Sequence, residues 1–163
     1  MPSIRPPRPD DAEAMAWVHN TGWRETYSHI LPERFYDDAA LERRRQMWRR
    51  ILAEPGERRL AVADSAGQVV GLAMAGPATA DDPDRGTPAR ELELNVLYVR
   101  PGHHGSGAGQ ALLDAVLGTA SAQLWVAEDN ARARAFYARN GFHPDGARND
   151  DEEFDGAEVR LVR

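Results

Sequence analysis

The sequence predicts a single α/β domain, with a central mixed sheet and helices on both faces. Three observations carry this. The apolar pattern changes period along the chain in the order strand, two helices, three strands, helix, strand, helix, two strands. The length, 163 residues, suits one domain with a proper core. There is no internal repeat and no linker long enough to divide domains.

Residues 3–8 are short and rich in proline, at best an edge strand. Asp10 or Asp11 offers an N-cap to a first helix, whose apolar stripe is Ala14, Met15, Trp17 and Val18 and which ends near Asn20. Aromatic character continues over 23–30, and Leu31-Pro32 breaks it. A second helix covers 41–52, with Leu41, Met47, Trp48, Ile51 and Leu52 apolar and five arginines on the wet side; Pro55-Gly56 ends it. The period then shortens. Residues 59–63 and 69–75 read as two strands joined by a hairpin turn over 64–68. A loop rich in Pro, Asp and Gly spans 76–90, and 91–99 is predicted to be the longest strand. A helix over 107–117 buries Leu112, Leu113, Val116 and Leu117. A strand at 124–127 follows, then a helix over 130–139 stopped by Asn140-Gly141. Strands from 142 onward and over 158–162 complete the chain.

Formal net charge is −6, from 26 acids and 20 bases, which lacks the basic excess that nucleic-acid binding requires. No run of 18 apolar residues suggests a membrane span, and the opening MPSIRPPRPDD has no signal-peptide apolar segment, so a cytoplasmic protein is expected. The absence of cysteine excludes disulfides and thiolate metal sites. His103 and His104 with His29 and His143 do not make a ligand-spaced zinc set, and no metal is expected. All 20 bases are arginine, so no lysine can act as a Schiff-base nucleophile or grip a phosphate.

The segment VRPGHHGSGAGQALL, 99–113, places Gly102, Gly105, Gly107 and Gly109 between a strand and a helix. Each glycine costs roughly 0.5–1 kcal/mol relative to alanine in regular structure, so the backbone freedom needs a reason. The nucleotide-loop pattern G-x-x-x-x-G-K-[ST] finds Gly102 and Gly107, but Ala108-Gly109 stand where Lys and Ser/Thr belong. The dinucleotide pattern G-x-G-x-x-G finds Gly105 and Gly107, but Gln110 takes the third place. A pyrophosphate cradle made by backbone N–H groups at a helix N-terminus needs no lysine. A ligand-free turn is the bland alternative; four glycines favour the cradle.

The stretch 97–113 resembles the acetyl-CoA loop of the GNAT superfamily of N-acyltransferases. That pattern is Arg or Gln, two residues, Gly, one residue, then Gly or Ala; here His104 stands in the Arg/Gln place, followed by Gly107 and Gly109. Segment 130–142, NARARAFYARNGF, is similar to the family's N-x-x-A-x-x-F-Y-x-x-x-G-F helix, at the separation the family requires. The resemblance covers 59–142 well and the first 58 residues less well. It implies a mostly antiparallel sheet and acetyl-CoA as cofactor. It divides the single domain 1–163 into an acceptor-covering part (1–58), an acetyl-CoA-binding core (59–142) and C-terminal strands (143–163). The activity implied is transfer of an acetyl group from acetyl-CoA to a primary amine by direct attack, and a homodimer is compatible with it. The alternatives are a non-catalytic acyl-CoA-sensing or interaction module on the same fold, and a nucleotide-binding regulatory domain.

Such a transfer needs a neutral amine, a stabilised carbonyl oxygen, a protonated thiolate and reactants held together. The resemblance assigns the pyrophosphate to His104, Gly105, Ser106, Gly107, Ala108, Gly109 and Gln110. In 91–99, Glu91, Glu93 and Asn95 alternate with Leu92, Leu94 and Val96, and the alternation stops at Leu97, Tyr98 and Val99. Such a slip fits a β-bulge; a strand end buried on both faces is the other reading. By resemblance the bulge opens the sheet for the pantetheine arm, and a backbone N–H near Leu97, Tyr98 and Val99 polarises the thioester carbonyl. Tyr137 is the candidate acid, since a phenol of pKa ~10 can protonate a thiolate whose acid has pKa ~8.5; a core tyrosine beside Phe136 and Phe142 is the other reading. Neighbours on a helix face different ways, so Phe136 and Tyr137 are expected to point apart. Asn130 is placed as an N-cap and, by resemblance, as a pantetheine partner. Glu93 is the candidate base, through water, because a carboxylate of pKa ~4.3 deprotonates an ammonium of pKa ~10 poorly. A solvated strand-face glutamate fits Glu93 equally, and Glu91 is a weaker substitute. His19, Trp23 and Tyr27 share one face at i, i+4 and i+8 if the stretch is helical; by resemblance the first helices cover the acceptor site, which this trio would line, and a core pair of Trp23 and Tyr27 with His19 at the rim fits as well. The acidic run NDDEEFDG, 149–156, reads as a solvated loop; by resemblance the region lies near the acceptor entrance, which implies a cationic acceptor such as a polyamine, aminoglycoside or peptide amine.

Overall fold

In the computed structural model, which describes residues 1–79, 85–150 and 156–163, the elements form in the predicted order. The strands are β1 (Ser3–Arg5), β2 (Arg59–Ser65), β3 (Gln68–Pro77), β4 (Leu92–Val99), β5 (Gln123–Ala127), β6 (His143–Asn149) and β7 (Glu158–Val162). The helices are α1 (Ala12–Tyr27), α2 (Asp38–Ala53), α3 (Ala108–Leu117) and α4 (Ala131–Arg139). The strands form one seven-stranded sheet in the order β1-β2-β3-β4-β5-β7-β6. Every neighbouring pair is antiparallel except β4 and β5, which α3 joins as a crossover.

β3, not β4, is the longest strand, with ten residues against eight. It is buried on both faces because helices cover both. Leu72 and Met74 pack with Met15, Val18, Trp48 and Ile51 of α1 and α2. Val70, Ala73 and Ala75 pack with Leu112, Leu113 and Val116 of α3 and with Phe142. Arg5 ties the short edge strand β1 to the core: its guanidinium sits 2.7 Å from Asp11 and 2.9 Å from Asp64.

α1 runs unbroken to Tyr27, past the expected end near Asn20. Buried polar groups hold it in place. Asn20 donates from Nδ2 to the Tyr36 carbonyl at 2.9 Å and accepts from Arg44 at 2.5 Å. Trp48 Nε1–H donates to His19 Nδ1 at 3.2 Å, joining α2 to α1. Only the neutral imidazole can accept there. Burial, aided by the Arg44 charge, pushes the His19 pKa down to about 3.

Unfolded, a histidine titrates near ~6.5. The stability His19 contributes is therefore complete above that pH and is lost as pH falls toward its folded value, at about 1.4 kcal/mol per pH unit. Replacing it by His19→Gln, whose amide oxygen still accepts from Trp48, should flatten the stability slope between about pH 6.5 and 5. Urea unfolding across that interval measures this; an unchanged slope in the variant would contradict it.

Candidate active site

β4 and β5 pair at only two positions, Glu93 with Gln123 and Leu94 with Leu124. Beyond Leu94 they part. The cause lies on the other side of β4. Against β3, Val96 stands opposite Met74 and Leu94 opposite Ala75, so Asn95 is an extra residue in β4. This is the expected β-bulge, two residues earlier than the loss of alternation at Leu97 had placed it. A bulge bends its strand and leaves one residue unpaired, and here it swings residues 95–99 away from β5.

A cavity of about 900 Å³ fills the opening. Its walls are β4 from Leu94 to Val99, β5 from Leu124 to Ala127, the glycine-rich loop, α4 and the end of α1.

The loop forms one end of this cavity. Gly105 and Gly107 have φ of +76° and +86°, in the left-handed region where a side chain is disfavoured, and Gly107 is the N-cap of α3. The Ser106 hydroxyl donates to the His103 carbonyl at 2.7 Å and accepts from Ala108 N–H at 3.3 Å, pinning the turn. Ala108 is buried beneath it. Among the described residues, the amides of Gly105, Gly107, Gly109 and Gln110 have no hydrogen-bond partner. Converging unpaired N–H groups at a helix N-terminus make an anion nest. The Gln110 side chain is engaged with Asp114 at 2.9 Å and Asn140 at 2.7 Å, which joins α3 to α4. His104 Nε2 lies 2.7 Å from the Val99 carbonyl, and its Nδ1 lies 2.6 Å from Arg132.

Three phenols meet at the middle of the cavity: Tyr27 from α1, Tyr98 from β4 and Tyr137 from α4. Burial pushes Tyr137 and Tyr98 well above the usual phenol value, and Tyr27 to about 12. Tyr98 and Tyr27 hydrogen-bond each other. Tyr137 does not point away from Phe136 as expected. Its ring lies edge-on to Phe136 at 5.3 Å and to Phe142 at 5.9 Å, within the same core cluster. α4 lies over the gap in the sheet, so one side chain borders core and cavity together.

Asn130 caps α4, its Oδ1 accepting from Ala133 N–H at 3.1 Å, and it also lines the cavity. Of the three residues expected to share one helical face, only Tyr27 lines the cavity. Trp23 packs behind it, with ring centroids 4.9 Å apart, and His19 is buried behind Tyr98. Helical spacing aligned them, but the helix end alone reaches the opening.

Glu93 lies outside the main cavity. Its carboxylate accepts from Gln123 at 2.9 Å and Asn95 at 3.1 Å, in a side pocket of about 20 Å³ with Arg85 and Trp125. Trp125 borders both spaces. Of the acidic run 149–156, residues 151–155 lie outside the described residues. Among the described residues no group of three or more His, Cys, Asp or Glu could hold a metal ion, and no helix is long and apolar enough to cross a membrane.

Several residues escaped the sequence reading. Trp125 looked like one more apolar residue of a strand. His29, in the turn after α1, lies 3.2 Å from Asp129, a contact a hundred residues apart in sequence between two residues that line the cavity. Gly22 lies beyond the predicted end of the first helix and drew no reading, yet a Cβ there would lie 2.5 Å from Tyr98 Cδ1 and 2.9 Å from Cγ.

Residues 14–142 match the Acetyltransferase (GNAT) family, and the chain belongs to it. The family uses acetyl-CoA as its acyl donor. The chain is 32% identical over 150 residues to Probable N-acetyltransferase Rv2775 of Mycobacterium tuberculosis, covering 88% of this chain and 80% of that protein. Among solved structures, it is similar to the PaiA N-acetyltransferase of Thermoplasma acidophilum in complex with coenzyme A, with TM-score 0.72, 18% identity and 98% of each chain covered. It is also similar to an HPA2-related acetyltransferase of Corynebacterium glutamicum, with TM-score 0.73, 21% identity, and 99% of this chain and 94% of that chain covered. At these identities the two structures speak to the fold.

Because the Gly22 contact falls near the base of the Tyr98 ring, no rotation of the ring tip relieves it. Gly22→Ala should destabilise the protein by about 1–3 kcal/mol, read as a lower urea midpoint. Stability equal to the wild type would show that α1 does not rest on Tyr98.

Proposed function

We propose that the protein is an N-acetyltransferase that moves an acetyl group from acetyl-CoA to a primary amine by direct attack. The observation that carries this is the parting of β4 from β5, with unpaired loop amides at one end of the gap and buried phenols at its middle. When bound, acetyl-CoA supplies an activated thioester carbonyl. The amides of Gly105, Gly107, Gly109 and Gln110 would hold its pyrophosphate, and Asn130 its pantetheine arm. The unpaired β4 edge at Leu97, Tyr98 and Val99 would offer a backbone N–H to the carbonyl oxygen. A fixed donor in a water-poor cleft stabilises developing negative charge better than water does.

Tyr137 is the acid in this reading. Burial keeps its O–H protonated well beyond neutral pH, so the proton is held at the phenol oxygen until the sulfur atom needs it. A raised pKa makes a weaker acid; proximity and a desolvated thiolate must compensate. Glu93 is the base, through water. Its side pocket of about 20 Å³ has room for about one water molecule, with Glu93 and Gln123 as polar partners. A covalent acyl-enzyme is not part of the scheme, since the chain has no cysteine and no serine elbow. The acceptor enters past Tyr27, where Glu25 and Asp129 also line the cavity and suit a cationic amine.

Tyr137→Phe should lower kcat about a hundredfold with acetyl-CoA affinity little changed. Thiol release with a panel of amines, followed by mass spectrometry of the products, measures it. Unaltered turnover would remove Tyr137 from the mechanism. Because burial raises the phenol, the wild-type rate should show no decline from Tyr137 ionisation below about pH 10. A tyrosine-dependent decline near pH 8–9 would contradict the assignment.

A further inference from the structure

We propose that Arg132 binds the pyrophosphate of the cofactor and is brought to the loop by His104, which occupies the place of the arginine or glutamine in the family pattern. This rests on the reading that the pyrophosphate lies on residues 104–109.

The hydrogen bonds fix the arrangement. A guanidinium can only donate, so His104 Nδ1, 2.6 Å from Arg132 Nη1, must offer its lone pair. The ring proton then sits on Nε2 and is donated to the Val99 carbonyl at 2.7 Å. His104 is therefore neutral and acts as a strut. It is anchored on the last residue of β4 and holds an otherwise exposed arginine at the first residue of the loop.

A neutral imidazole brings no charge to an anion, and the chain has no lysine to do so. The Arg132 side chain has no carboxylate partner among the described residues, and one N–H engaged by His104 leaves its other donors available. It lines the same cavity as Gly105 and Gly107, whose amides are unpaired. Arg139, further along α4, also lines the cavity but has no contact tying it to the loop among the described residues. The cation that a one-residue pattern would place at 104 is thus delivered from α4, through a histidine that accepts on one side and donates on the other. Glutamine could make the same two contacts with its amide. Arginine could not accept from Arg132, but would bring its own charge.

Calorimetric titration of the full chain with coenzyme A tests this, with no turnover required. Arg132→Gln should weaken binding about tenfold and reduce its salt dependence, whereas Arg139→Gln should do so by less than about twofold. The Arg132→Gln loss should persist with 3′-dephospho-CoA and disappear with pantetheine, which lacks the pyrophosphate. His104→Ala should weaken binding similarly, without adding to Arg132→Gln. His104→Gln should stay near wild type, and His104→Arg should restore binding to the Arg132→Gln protein. If Arg132→Gln binds coenzyme A as wild type does, or if its loss vanishes with 3′-dephospho-CoA, the inference fails while the loop reading stands. If the wild type binds pantetheine as tightly as coenzyme A, the loop reading itself fails.

Discussion

Everything at this site depends on the short pairing of β4 and β5. A sheet normally continues its hydrogen bonds to the strand ends, because an unpaired strand edge inside a protein is costly. Here the one parallel pair among the described residues stops after two positions. The bulge at Asn95 bends β4, and β7 holds β5 along all five of its residues, so the separation appears wholly on the β4 side. α1 and α4 then close over the gap from opposite faces. The sheet thus presents an open edge in its middle, sheltered from other strands but reachable by a narrow chain.

The chemistry at the two ends of the gap follows from what surrounds it. At the loop, left-handed glycines turn the backbone beside the cavity, and several amides there have no partner among the described residues. The chain has no lysine, and the charged side chain held beside the loop by His104 is Arg132. At the centre, the packing that holds Tyr137 against Phe136 and Phe142 also desolvates its phenol. The hydroxyl is fixed and protonated at the price of acidity. The slot at Gly22 extends the same logic to the far wall: α1 approaches β4 closely enough to hold Tyr98, and through it Tyr27.

Much of this was legible in the sequence, and the reason differs by element. The strand and helix order followed from periodicity, which burial enforces directly. The glycine loop was legible because Gly105 and Gly107 adopt a backbone that few other residues tolerate. Asn130 was readable twice over, since an N-cap is a local hydrogen bond. The bulge was readable as a change of pattern but misplaced by two residues, because Val96, Leu97 and Tyr98 all find apolar neighbours after the bend. What failed was any inference needing distance across the fold. His19, Trp23 and Tyr27 were aligned correctly on α1, but nothing local says where β4 ends beneath them. Arg132 and His104, 28 residues apart, meet only because α4 returns beside the loop.

The most direct test of the account is a crystal structure with coenzyme A bound. It predicts pyrophosphate oxygens within hydrogen-bond distance of the amides at Gly105, Gly107, Gly109 and Gln110, with the pantetheine arm lying between β4 and β5. Phosphates bound away from residues 104–109, or β4 and β5 closed into continuous pairing beyond Leu94, would contradict it.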